Sequence, residues 1–190
     1  GEFRSLTYGI GDRIESMTDN TGTTGYSYDS AGRFSGITYP SGASVAYTRD
    51  KLARTTDVTV KPSATATAIN THYTYDPNGN LKELRDANGN LTTYAYDDFD
   101  RLNQTTYANA SHEDYTYDSA GNLLTRRTPN AALRTFTYDA LNRLIQKLTP
   151  EETTTYAYDP GSRLTQAADA DATITHTYDA LNRITQVMTD

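Results

Sequence analysis

The sequence predicts an all-β protein, a tandem array of β-hairpins forming a long, curved antiparallel sheet. Three observations predict it. One pattern recurs about every twenty residues, each copy alternates aromatic with small side chains, and each copy runs into turn-forming residues. Helix signals are nearly absent, since no window carries an apolar stripe at the 3.6-residue period.

The 190 residues suit one repeat array or one to two ordinary domains. Only 29 are Leu, Ile, Val or Phe, a level at which composition alone begins to suggest disorder. Sixteen tyrosines, a modest net charge of −7 and the periodic pattern oppose that, so the chain reads as folded. There is no cysteine, which excludes disulfides, thiolate nucleophiles and Cys-ligated metals. A pI of about 4.9 argues against a nucleic-acid surface, which needs clustered Lys and Arg. No apolar run approaches the length of a membrane-spanning helix. Residues 1–3, "GEF", read as a cloning remnant. Residues 4–190 read as a single array.

The hexapeptide "YDALNR" stands at 138–143 and again at 178–183. Alignment on its tyrosine gives nine anchors: Tyr8, Tyr28, Arg49, Tyr75, Tyr96, Tyr117, Tyr138, Tyr158 and Tyr178. They lie 20, 21, 26, 21, 21, 21, 20 and 20 residues apart. Each repeat opens with a strand. Two residues before the anchors stand Leu6, Tyr26, Tyr47, Tyr73, Tyr94, Tyr115, Phe136, Tyr156 and His176. A two-residue offset puts both side chains on one strand face. The two columns hold 14 of the 16 tyrosines, so these strands carry an aromatic face and a small or hydroxyl face.

A turn follows each strand. After the anchor come Asp29, Asp50, Asp76, Asp97, Asp118, Asp139, Asp159 and Asp179, with Gly9 the exception. Asp at the first turn position accepts backbone N–H bonds. Three residues on stand Asp12, Gly32, Ala53, Gly79, Asp100, Gly121, Asn142, Ser162 and Asn182, mostly types that tolerate left-handed backbone angles. Together they fit a type I turn closed by a bulge. The return strand opens with Arg or Asn and then, usually, an apolar residue: Arg33–Phe34, Asn80–Leu81, Arg101–Leu102, Asn122–Leu123, Arg143–Leu144, Arg163–Leu164 and Arg183–Ile184. Second turns lie midway, at "DNTG" (19–22), "PSG" (40–42), "DANG" (86–89), "TPNA" (128–131) and "TPEE" (149–152). The long interval contains "KPSATATAIN" (61–70), a loop insertion. About nine repeats of two strands make roughly eighteen strands.

An array of Y-x-Y-D-x-x-G/N-R/N-L copies over about residues 6–190 resembles the Rhs / YD-repeat family. The resemblance implies a sheet that winds into a hollow shell. Bacterial Rhs proteins and the C components of insecticidal toxin complexes enclose a C-terminal toxin in such shells, and animal teneurins use a similar shell in adhesion. The family's D-P-x-G-L self-cleavage motif is matched only in part by "DPNGN" (76–80), and "DPGS" (159–162) has its Gly misplaced. Neither an autoprotease nor a toxin is therefore carried over, and the chain reads as an interior slice of an array.

Chemistry candidates are weak beside their structural readings. The Asp and Arg columns, as in Asp139 and Arg143, offer an acidic row for general-base or metal chemistry. Repetition in every module favours the plain role, with Asp fixing its turn and Arg stacking on tyrosine or pairing with carboxylate. "DANGN" (86–90) resembles a calcium loop, but Leu91 occupies the sixth position, where Gly is required. His72, His112 and His176 form no zinc-type pair, and no serine sits in a nucleophile elbow. The motif residues are thus expected to be structural: Tyr28, Asp29, Arg33, Tyr75, Asp76, Gly79, Tyr96, Asp97, Arg101, Tyr117, Asp118, Gly121, Tyr138, Asp139, Arg143, Tyr158, Asp159, Arg163, Tyr178, Asp179 and Arg183.

The leading expectation is a non-enzymatic segment of an Rhs-type shell, without cofactor or metal. Its partners would be a toxin or cargo polypeptide or further repeats, and its parent a secreted or cell-surface protein. The second expectation is an adhesion module that binds a glycan or a protein. Exposed sheet edges invite edge-to-edge oligomers.

Overall fold

A computed structural model describes residues 4–190. The remnant reading for residues 1–3 lies outside the described residues. Among these residues there are eighteen strands and no helix.

The chain divides into two compact units, and the division falls within one strand, between Thr93 and Tyr94. In an array each hairpin touches mainly its neighbours, so no single core binds all repeats into one unit. The first unit holds β1 (Ser5–Tyr8), β2 (Ile14–Asp19), β3 (Gly22–Tyr28), β4 (Phe34–Thr38) and β5 (Ser44–Arg49). It continues through β6 (Thr55–Lys61), β7 (Ile69–Tyr75), β8 (Leu81–Arg85) and the start of β9 (Leu91–Tyr96). The second unit begins within β9 and holds β10 (Leu102–Thr106), β11 (His112–Tyr117), β12 (Leu123–Arg127), β13 (Leu133–Tyr138) and β14 (Leu144–Leu148). It ends with β15 (Thr153–Tyr158), β16 (Leu164–Ala168), β17 (Thr173–Tyr178) and β18 (Ile184–Thr189). In each unit every strand pairs antiparallel with its sequence neighbours.

All nine anchors end an odd-numbered strand. The eight turns that open with Asp share one geometry. In the Tyr28 repeat, Asp29 N donates to Arg33 O and Gly32 N donates to Asp29 O, both at 2.8 Å. The fourth turn residue has positive φ in all nine repeats, including Ala53 (66°) and Ser162 (62°), which lack a type suited to that region. Closure of the hairpin holds them there.

One feature of the return strand was not legible in the sequence. In β3–β4, Tyr28 faces Phe34 while Ser27 faces Gly36, so Ser35 is an extra residue. The same shift recurs in β7–β8, β11–β12, β13–β14, β15–β16 and β17–β18. This bulge puts two successive side chains on the hydroxyl face. Thr48, for example, reaches both Thr56 (2.9 Å) and Asp57 (2.6 Å).

The second turns explain the two repeat lengths. Turns 39–43, 86–90, 107–111 and 128–132 close with an additional left-handed residue, at Gly42, Gly89, Ala110 and Ala131. Their repeats are the 21-residue ones. Turns 149–152 and 169–172 lack that residue, and their repeats have 20. The turns "YANA" (107–110) and "DADA" (169–172) carry no Gly or Pro, so the residue types alone did not mark them. The insertion is narrower than 61–70: Lys61 belongs to β6 and Ile69 opens β7, because Val60 and Ile69 pair across the two strands.

The strands have two unlike faces. Tyr28 meets Phe34 edge-on at 6.2 Å, and Phe34 meets Tyr47 at 6.2 Å. On the other face, hydroxyls pair across strands, as in Thr116–Thr125 (2.6 Å) and Thr177–Thr185 (2.9 Å). Most tyrosines are half-buried while Tyr8, Tyr39 and Tyr107 are exposed, and no apolar side chain among the described residues is fully buried. A ring in one sheet layer is covered by its lateral neighbours alone.

Candidate functional site

The repeated feature with the densest chemistry is the joint between one hairpin and the next. It starts at the aspartate. Asp139 Oδ1 accepts from Leu141 N (2.9 Å) and Arg143 N (3.0 Å), and Oδ2 accepts from Arg143 Nε (2.7 Å). Asp29 with Arg33, Asp50 with Arg54, Asp97 with Arg101, Asp159 with Arg163 and Asp179 with Arg183 repeat this arrangement. Asn80 serves Asp76 and Asn122 serves Asp118 in the same way through Nδ2.

These bonds favour the anion, and the carboxyls are held below the ordinary carboxylate value. The arginine side chain is the largest cause at Asp97 and Asp139. At Asp29, Asp159 and Asp179 it is the backbone N–H of the same arginine. At Asp118 it is the Asn122 amide. Desolvation is the largest single effect at Asp50 and Asp76 and pulls upward, but the hydrogen bonds together outweigh it.

The arginine then crosses to the next repeat. Arg143 lies over the Tyr158 ring at 4.8 Å, and its Nη1 donates to Asp159 O at 3.2 Å. Arg163 does the same with Tyr178 and Asp179 O, Arg101 with Tyr117 and Asp118 O, and Arg54 with Tyr75 and Asp76 O. The tyrosine answers. Tyr158 Oη donates to Leu144 O at 2.9 Å, and Tyr178, Tyr117, Tyr75 and Tyr28 donate to Leu164, Leu102, Thr55 and Ile14. The hydroxyls therefore reach back to the preceding repeat. Each outgoing strand lies beside the previous return strand, which presents that carbonyl.

Departures from the pattern are compensated. Arg49 stands where tyrosine is expected, and its Nη1 donates to Phe34 O at 2.8 Å, the carbonyl a tyrosine would use. Ahead of Tyr138 the position of arginine is held by Asn122, which donates to Asn142 Oδ1 at 2.8 Å in the following repeat. Burial pushes the Tyr138 hydroxyl up. Tyr96 ends β9, and Gly79 and Gly121 take the left-handed turn position at φ 98° and 90°.

A cluster on the aromatic face of the second unit carried no sequence signal, because its members come from two strands and a turn. Glu113, with a side chain only 9% exposed, accepts two bonds from Arg126 (3.0 and 3.1 Å) and one from the Tyr115 hydroxyl. Tyr107 adds another, and the Tyr115 bond is the main cause holding the carboxyl down. This charge is fully partnered.

Catalytic constellations find little support in the geometry. His72 Nδ1 lies 2.7 Å from Asp57 Oδ1, but Thr48 donates to the same carboxylate. Hydroxyl and imidazole thus share the carboxylate and do not bond each other, unlike a nucleophile and its base. His112 and His176 lie on β11 and β17. Asp86 spends its oxygens on Asn88 N, Asn90 N and Asn90 Nδ2, as a turn residue does.

Fold and joint together define a β-hairpin repeat protein whose repeats interlock through an Asp–Arg–Tyr unit. The RHS Repeat family profile matches residues 71–112, 117–152 and 138–174. The chain belongs to the RHS repeat family. Its fold is similar to that of TcdB2–TccC3 without the hypervariable C-terminal region, with TM-score 0.63, 18% identity, and coverage of 95% of this chain and 12% of that one. It is also similar to TcdB2–TccC3 (TM-score 0.60, 16% identity, 95% and 13% covered). A Photorhabdus luminescens Tc holotoxin pore gives TM-score 0.55, 17% identity, and coverage of 97% and 13%. The chain thus spans about an eighth of the length of these chains. No curated protein matches the sequence.

Proposed function

We propose that this structural RHS repeat segment is part of a wall that encloses a partner polypeptide, a toxin or other cargo. The observation that carries the reading is the joint: most repeats present a socket of Arg and carbonyl to the next and a Tyr to the previous one. Such a unit propagates a sheet and places nothing at a reaction centre. Further support comes from the fold's likeness to toxin-complex components and from the containment that the family resemblance implies. The wall separates its contents from solvent and proteases, and the Asp, Arg and Tyr columns act structurally.

Limited proteolysis of the longest natural polypeptide carrying this array tests it. Survival of an adjoining polypeptide while attached test tags are digested is the expected result. Digestion of both at one rate would overturn containment.

A second reading is an adhesion module for a protein or glycan. It is favoured by large apolar side chains at the tips of the Asp turns, Phe99 (78% exposed), Leu141 (65%) and Leu181 (73%). The tyrosines are poor glycan platforms here, because Arg covers ring faces and hydroxyls are committed to carbonyls.

A further inference from the structure

We propose that Arg134 and Lys147, on the aromatic face of the second unit, form a carboxylate-binding site that takes an acidic segment of the enclosed polypeptide. The inference deepens the wall reading and rests on it for the source of that segment.

Strand register builds the site. Across β12–β13 Arg126 faces Arg134, and across β13–β14 Phe136 faces Lys147. Opposed residues share a sheet face, and Arg134 stands on it two residues before Phe136. Arg134 and Lys147 are therefore diagonal neighbours, with Cβ atoms about 7–8 Å apart, and one carboxylate can reach both.

Charge on this patch is unbalanced. Arg126, Arg134 and Lys147 share one carboxylate, Glu113, whose oxygens accept from Arg126 and the Tyr115 hydroxyl. Like charges directly opposite repel, and Glu113 relieves only Arg126. Among the described residues, the side chains of Arg134 and Lys147 form no ion pair or hydrogen bond. Arg134 Nε is buried without a partner, a costly state for a charged donor. Glu151 and Glu152 are exposed in the turn beyond Lys147 and are not paired with it. The patch is thus positive on a chain of net charge −7.

An arginine fork beside an ammonium holds a carboxylate through charge-assisted bonds. The rings next to the cations say what carries that carboxylate. Phe136 and Tyr115 are half-buried, and Arg126 lies 6.0 Å from the Tyr115 ring. They offer the apolar neighbours of an acidic side chain a surface to lie on, which a free inorganic anion cannot use. A polypeptide segment uses both parts of the patch.

Proton–nitrogen NMR of the arginine Nε–H groups of the 190-residue chain reads the site directly. The probes are a short acetylated peptide of Glu, Phe and Gly, the same peptide with Lys for Glu, and inorganic phosphate. The expected result is a saturable downfield shift of the Arg134 Hε signal with the Glu peptide, weakened by added salt and absent with the Lys peptide. In calorimetry, Arg134→Gln/Lys147→Gln should weaken binding of the Glu peptide by about tenfold or more. Removing two repelling cations should leave the fold intact, which circular dichroism melts check. Should that variant fail to fold, the Arg134 signal of the unaltered chain still decides. An unmoved signal, equal binding of the Lys peptide or undiminished binding by the folded variant overturns the proposal. Phosphate bound as tightly as the Glu peptide overturns it too, since the rings would then contribute nothing. Loss of cargo protection with peptide binding intact overturns the wall alone, and protection without peptide binding overturns this site alone.

Discussion

At the scale of single residues, the tyrosine column does the work usually given to aliphatic side chains. A half-buried ring offers less apolar burial than a core leucine. Tyr117 adds a hydroxyl bond to Leu102 O at 2.8 Å and an arginine over its face at 4.8 Å. Tyr117→Ala is therefore expected to cost about 3 kcal/mol, at the low end for large aromatic truncations. Tyr117→Phe keeps the ring and should cost about 1 kcal/mol, the net worth of one hydrogen bond. Urea unfolding of both variants checks this, and equal losses would mean that the hydroxyl alone matters. The left-handed turn position gives a pair of opposite sign. Gly121→Val forces a β-branched residue to φ 90° and should cost about 1–3 kcal/mol. Ala53→Gly relieves a non-glycine residue at φ 66° and should gain up to about 1 kcal/mol, after the entropy glycine adds to the unfolded chain. Calorimetric melting of the two should move Tm in opposite directions.

At the scale of the hairpin, the aspartate turn ties stability to pH. The turn carboxyls have folded pKa values below the unfolded value, which is 3.8 for an ordinary Asp. A depressed folded pKa contributes stability that is present above the unfolded value and is lost as pH falls through the folded one. Glu113 acts in the same direction. Melting temperature should therefore hold steady from neutral pH down to about pH 5 and then fall as the carboxyls protonate. A Tm unchanged at pH 2 would show that the carboxylate caps contribute nothing. The bulge belongs to this scale too. It decides that Thr48 can meet both Thr56 and Asp57, which strict alternation would have put on opposite faces.

At the scale of the whole molecule, the absence of a fully buried apolar side chain among the described residues makes stability a sum of joints. Local opening should then start at exposed strands. Amide hydrogen exchange is expected to be fastest in β18, whose residues are all exposed, and slower in β15–β16 of the same unit. Uniform protection across β15–β18 would indicate one cooperative block. The likeness to much longer toxin-complex chains fits an array in which each repeat needs only its neighbours to fold.

The amino-acid pattern alone determined the number of repeats, the strand ends at the nine anchors, the Asp turns and the pairing of Asp with Arg. All of these depend on residues within about one repeat, where spacing dictates geometry. Tertiary structure decided the rest: the reach of arginine to the next repeat's tyrosine and carbonyl, the backward direction of the hydroxyls, the Glu113–Arg126–Tyr115 cluster and Arg49's substitution for tyrosine. It also decided the return-strand bulge and the extra turn residue that separates 21 from 20. These depend on which strand lies alongside and in what register, and cross-strand hydrogen bonds set that once the hairpins stack.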